Sequence, residues 1–183
     1  MRIGLALGGG GLTGTAFHAG VLNALAEHLD PREAEVIVGT SAGSTAAALM
    51  RSGFPATDYV ARVTGRPLSP EGEAVLGGMP ALADPVPALP RERGPASPQL
   101  LRSVLRRPWR YAPGVALSAL LPEGTRPVDA GAQRFRALFT QWPQRPTWIV
   151  AVDLDTGRRV VFGRDATASM ADAVSASCAV PGY

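Results

Sequence analysis

Four consecutive glycines, Gly8 to Gly11, follow the short apolar run RIGLAL of residues 2–7 and precede a segment in which Phe17, Val21, Leu22, Leu25 and Leu29 recur at three- and four-residue steps. Glycine costs about 1 kcal/mol relative to alanine at each helical position, so no helix runs through this point. The order that remains is strand, glycine-rich turn, helix. Ile3 to Ala26 contains no Asp, Glu, Lys or Arg and superficially resembles a signal peptide or a membrane span. The glycines interrupt it after too few apolar residues for either, so no targeting segment and no transmembrane helix is expected.

The same order recurs. The apolar EVIV of residues 35–38 runs into Gly39-Thr40-Ser41-Ala42-Gly43 and then into the Ala-rich helix-like STAAALMRSG. Two such units predict an α/β fold with a parallel sheet and right-handed crossovers, whose functional groups gather at the carboxyl edge of the strands. At 183 residues with 46% hydrophobic side chains, the chain suits one domain over 1–183 with a sizeable core. Between Gly65 and Pro127 lie 12 of the 17 prolines, which predicts an insertion or lid over 65–127 with short helices near Gln99–Arg107 and Gly114–Leu121. Beyond it, Phe135, Leu138 and Phe139 mark a helix, TWIVAV (147–152) and RRVVF (158–162) two strands, and Thr167–Ala176 a further helix.

Charge and cysteine usage exclude several classes. The basic residues are all arginine, and the formal charge of +3 is too small to argue for a nucleic-acid partner. A single cysteine, Cys178, cannot form an internal disulfide, and with two histidines it builds no zinc site. A reducing, cytoplasmic compartment fits this usage.

Ser41 is the residue best placed for chemistry. A serine on a tight strand-to-helix turn has a strained backbone, and Gly39 and Gly43 remove the Cβ atoms that would collide with the neighbouring strand and helix. The helix N-terminus beneath favours an alkoxide-like nucleophile, although a plain capping serine is the simpler use of such a turn. Gly9 to Gly14, GGGLTG, matches the dinucleotide-binding GxGxxG pattern ending in Gly14, but the next strand ends in Gly39-Thr40-Ser41 where a ribose-binding acid belongs. The same glycine N–H groups can bind an oxyanion instead. His18 and His28 both precede Ser41, which disfavours the Ser, acid, His order of α/β-hydrolases and leaves a carboxylate base as the other option. Asp153, after TWIVAV, is the one geometric candidate for that base within the chain, and it reads more simply as part of an acidic hairpin turn. Asp129 and Asp172 fall in helix-like segments. The cluster Arg106-Arg107-Pro108-Trp109-Arg110-Tyr111 mixes cations and aromatics in a way that suits an anionic lipid surface or single-stranded nucleic acid.

ALGGGGLTGTAFHAGVL, VGTSAGS and SASCAVPG resemble, in this order, the successive motifs of patatin-like phospholipases. The resemblance spans Arg2 to Gly182, with the Pro-rich middle as a variable region. It implies a three-layer α/β/α fold with a mainly parallel central sheet and hydrolysis of lipid acyl esters by a Ser-Asp dyad through an acyl-enzyme. Ser41 would be the nucleophile and Gly9, Gly10 and Gly11 the oxyanion hole. A phospholipid or other acyl lipid is the implied substrate, with peripheral membrane contact, no nucleic acid, and neither metal nor organic cofactor. Thr13 stands where many relatives carry Arg or Lys. No Asp-Gly pair, the family's setting for its catalytic aspartate, occurs in the 183 residues. The resemblance therefore implies a domain cut before its base and final strands, with an exposed sheet edge and marginal stability. A catalytically inactive lipid- or protein-binding module is the alternative, and a nucleotide-binding module a third.

Overall fold

The structure is a computed structural model that describes residues 2–77, 94–124, 135–139 and 141–179. The chain forms β1 (Gly4–Leu7), α1 (Gly11–Ala26), β2 (Val36–Thr40), α2 (Ala42–Arg51), α3 (Asp58–Thr64), α4 (Pro70–Leu76), α5 (Pro98–Arg106), α6 (Pro113–Ser118), β3 (Thr147–Val152), β4 (Arg159–Phe162) and α7 (Met170–Cys178). The strands lie in the order β1-β2-β3-β4; β1, β2 and β3 are mutually parallel, and β4 returns antiparallel to β3 through a short turn. The expected α/β class and mainly parallel sheet are present. β2 reaches two residues further than EVIV suggested, because Gly39 and Thr40 still pair with Ile149 and Val150.

Strand residues alternate in burial. Leu7, Ile37, Gly39, Thr147, Ile149 and Ala151 point to one face and are buried, while Val36, Val38, Trp148 and Val150 on the other are half-buried. α1, α2 and α7 cover the buried face. Their Leu22, Ala46, Ala47, Leu49, Met50, Met170, Ala173 and Val174 form one core with Ile37, Ile149 and Phe54. α2 can lie close on the sheet because its inward side is largely alanine, and small side chains let backbone approach backbone. Of the three layers expected, the described residues supply the sheet and the helical layer on this face.

α1 departs from its sequence pattern. Leu22 is buried as its pattern expects, but Phe17 and Val21 are exposed at 67% and 40%, and His18 and Ala19 are buried in their place. The face turned to the core is set by what the helix packs against, α2 and α3, and the periodic pattern alone does not fix it.

Prolines act here as helix starts. Pro70, Pro98 and Pro113 open α4, α5 and α6, where the missing N–H costs nothing and φ is already helical. Ser69 and Ser97 cap the first two, accepting from Gly72 N–H at 3.1 Å and Leu100 N–H at 3.0 Å. α5 and α6 close a small core of their own, Leu100, Val104 and Ala119. It leans on the β3–β4 turn, where Leu100, Tyr111 and Val115 crowd around Gly157. The remainder of the expected 65–127 insertion, residues 78–93 and 125–127, lies outside the described residues, as does Asp129.

At the opposite edge of the sheet, Arg51 ends α2 and donates to the carbonyls of Arg32, Ala34 and Pro146 at 2.6, 2.8 and 3.2 Å and to Thr147 Oγ1 at 3.0 Å. One guanidinium thus ties the chain ahead of β2 to the start of β3.

Two glycines give opposite predictions. A Cβ on Gly43 would run into the Leu7 carbonyl, so Gly43→Ala is expected to destabilise the protein by about 3 kcal/mol or more in chemical denaturation. Gly20, exposed in the interior of α1 with open space around it, is expected to gain roughly 0.5–1 kcal/mol on Gly20→Ala in the same measurement.

Candidate active site

Ser41 stands alone between the end of β2 and the start of α2, with φ 52° and ψ −119°. Among the described residues it is the one non-glycine residue with positive φ. A side chain held there costs on the order of 1–3 kcal/mol, so its surroundings must hold it in place. They do so through both of its backbone groups. The Ser41 carbonyl accepts from Ser44 N–H at 2.8 Å, Ser44 Oγ at 2.6 Å and Thr45 N–H at 3.2 Å. The Ser41 N–H donates to Ser177 Oγ at 2.8 Å. Gly39 and Gly43 flank the turn as the pentapeptide suggested. A Cβ on Gly39 would come within 2.5 Å of the Gly43 carbonyl oxygen, and one on Gly43 would overlap Leu7.

The glycine loop lies beside this turn. Gly43 N–H donates to Gly8 C=O at 3.1 Å, and a Cβ on Gly9 would sit 3.5 Å from Ser41 Cβ. Gly10, at φ 154°, and Gly11, at φ 55°, wrap the chain over the first turn of α1, where Gly14 allows the loop to close. A Cβ on Gly10 would meet Gly14 Cα at 2.8 Å. No acceptor among the described residues takes the N–H groups of Gly9, Gly10 or Gly11, and no side chain caps α1. Of these exposed residues Gly9 borders Ser41, and the first turns of α1 and α2 meet there, with Gly14 against Ala42. The local field suits a negative charge forming next to the Ser41 hydroxyl.

Other sequence candidates lie elsewhere. His18 is buried on the core side of α1 with no partner for its Nδ1 among the described residues, and burial lowers its pKa. His28 is exposed beyond the end of the helix. Asp153 is committed to the β3–β4 turn, accepting from Thr156 Oγ1 at 2.5 Å and Thr156 N–H at 2.8 Å. The Thr156 hydroxyl, then its N–H, holds the Asp153 carboxyl below the usual range. Asp172 completes the cap of α7 with Ser169 and pairs with Arg136. Thr13 is exposed on α1. Among the described residues no carboxylate or imidazole hydrogen-bonds the Ser41 side chain, and no group of three His, Cys, Asp or Glu could hold a metal ion.

Ser177 is the residue that sequence reasoning passed over. SASCAVPG contains it, but residue type alone does not separate it from Ser175, which is equally buried and whose hydroxyl has no hydrogen-bond partner among the described residues. Their difference is one of direction on α7.

The family model for patatin-like phospholipase matches residues 5–183, which takes in the glycine loop, the serine turn and α7. The chain belongs to the patatin-like phospholipase family. Among solved structures it is similar to the type III effector protein ExoU, at 23% identity and a TM-score of 0.46, over 99% of this chain and 40% of that one. The chain thus spans well under half the length of that relative. A comparison with curated proteins finds no match. No described helix of this patatin-like chain is long and apolar enough to cross a membrane.

His18 gives a pH prediction. Its folded pKa lies below the unfolded value of about 6.5, so the unfolded chain binds the proton first and stability falls as pH drops through that value toward the folded pKa. Thermal melts are expected to show a falling Tm between about pH 7.5 and 5.5, and His18→Leu is expected to flatten this dependence.

Proposed function

We propose that this patatin-like chain carries the nucleophile and oxyanion site of a lipid acyl hydrolase. The observation that supports this reading is Ser41, strained at φ 52° on the turn between β2 and α2, with Gly9 of the glycine loop beside it and no acceptor among the described residues for the N–H groups of Gly9, Gly10 and Gly11. Ser41 Oγ attacks the acyl carbonyl carbon, and the hydroxyl proton passes to a carboxylate base. The carbonyl oxygen becomes an oxyanion taken by the glycine N–H groups, which reorganise little because the loop already faces this point. Collapse breaks the ester bond, the leaving alcohol takes the proton, and water hydrolyses the acyl-serine in a second round through the same oxyanion site. Asp153 does not serve as the base in this reading, because its carboxylate is engaged by Thr156 and faces the turn. The base is an aspartate outside the described residues. No metal or organic cofactor is part of this reading.

The lipid surface is met by the segment around α5. Trp109 and Leu105 are 79% and 72% exposed, and Arg102, Arg106, Arg107 and Arg110 surround them without an ion pair among the described residues. Glu123 is the one acid between 94 and 124. An unneutralised cationic collar around exposed apolar side chains fits an anionic bilayer, where rings and alkyl chains sit at headgroup depth.

A fluorophosphonate probe tests the chemistry. Covalent labelling is expected at Ser41 and to vanish in Ser41→Ala, while Asp153→Asn labels like wild type. Gly10→Ala, which crowds Gly14 and moves a donor, is expected to slow labelling by roughly 100-fold. A folded protein that does not label would instead favour the inactive lipid- or protein-binding module, a reading suggested by the lack of a carboxylate on Ser41 among the described residues. For the surface, replacing Arg106, Arg107 and Arg110 with Gln is expected to weaken sedimentation with phosphatidylglycerol vesicles by roughly 100-fold, and undiminished binding would refute it.

A further inference from the structure

Ser177 is the penultimate residue of α7 and is buried. Its hydroxyl donates to the Val150 carbonyl at 2.6 Å and accepts the Ser41 N–H at 2.8 Å. Both directions are fixed, since a carbonyl only accepts and an amide N–H only donates. The hydroxyl therefore bridges two backbones, giving its one proton to the Val150 carbonyl and accepting the Ser41 N–H.

The ladder between β2 and β3 explains why a hydroxyl stands at this point. Ile37 N–H donates to Pro146 C=O at 3.1 Å while Ile37 is in register with Thr147. In a parallel pair this alternation makes Ile37, Gly39 and then Ser41 the donors of β2, and the carbonyl that Ser41 would reach is Val150. The chain swings out of the sheet at Ser41, and that rung cannot close directly. Ser177 Oγ fills the gap, joining the same donor and acceptor through one extra atom.

We infer that Ser177 is the positioning residue of the serine turn, holding Ser41 at positive φ and aiming its Oγ toward the glycine loop; this rests on the hydrolase reading of Ser41. Without the hydroxyl, the Ser41 N–H and the Val150 carbonyl are left without partners in a site shielded by α7, and the strained turn relaxes. A displacement of about 1 Å at a nucleophile can cost on the order of 100-fold in rate. The bond also takes the Ser41 N–H out of the set of free donors.

Ser175 provides the control: it lies on the same helix, is buried, and its hydroxyl has no partner among the described residues. The test is the rate of fluorophosphonate labelling at Ser41 in the full chain, resolved into kinact and KI. Ser177→Ala is expected to lower kinact by roughly 10- to 100-fold with KI unchanged within about twofold, Ser177→Thr to restore most of the loss, and Ser175→Ala to behave as wild type. A folded Ser177→Ala protein with wild-type kinact would overturn the inference. Should that variant fail to fold, hydrogen exchange in the wild type decides: the Ser41 amide is expected to exchange at least about 100-fold more slowly than the unpaired Gly10 amide, and equal rates would overturn it. Wild-type protein that never labels at Ser41 refutes the hydrolase reading, and the exchange measurement then judges the Ser177 bridge alone.

Discussion

The contact between the two strand-to-helix turns organises everything else at the carboxyl edge. Gly43 N–H reaches Gly8 C=O, and the approach is so close that a single methyl group on Gly43 would overlap the Leu7 carbonyl. That contact fixes the first turn of α2 against the end of β1. It sets Ser41 beside Gly9, while the Gly10 and Gly11 carbonyls are taken by Gly14 N–H and Thr15 Oγ1 of α1. The glycine loop and the strained serine turn can lie this close only because both lack side chains at the points where they touch.

The strain at Ser41 is balanced from two directions. The first turn of α2 grips its carbonyl through Ser44 and Thr45, and α7, more than 130 residues away in sequence, grips its amide through Ser177. The long-range half of this arrangement passes through Val150, so β3, α7 and the serine turn form a closed loop of hydrogen bonds. The Ser41 amide therefore finds this partner only once the sheet and α7 are assembled. Asp153, three residues past Val150, is drawn into the β3–β4 turn instead, where the neighbouring Thr156 supplies two donors that a distant serine cannot match.

The proline-rich middle is more ordered than its composition suggests where it is described. Its prolines open helices, its serines cap them, and α5 and α6 share a small core that abuts the β3–β4 turn. The arginines and Trp109 are left outside that core because Leu100 and Val104 take the buried side of α5. Amphipathicity in so short a helix leaves a cationic, partly apolar outer face as a direct consequence.

The local parts of this protein were written in its sequence. Glycine runs that forbid helix, apolar runs that suit strand, and the pentapeptide around Ser41 specify strand, turn and helix twice over, because these are constraints on backbone conformation that neighbouring residues settle among themselves. TWIVAV became β3 with the bounds its pattern gave. Tertiary structure decided the rest. It turned His18 inward and Phe17 outward, since the rotation of α1 depends on what it packs against. It assigned Asp153 to a turn. It also chose Ser177 over Ser175 to complete the missing rung, since two serines of like type and like burial differ only in the direction α7 gives them once it has docked on the sheet.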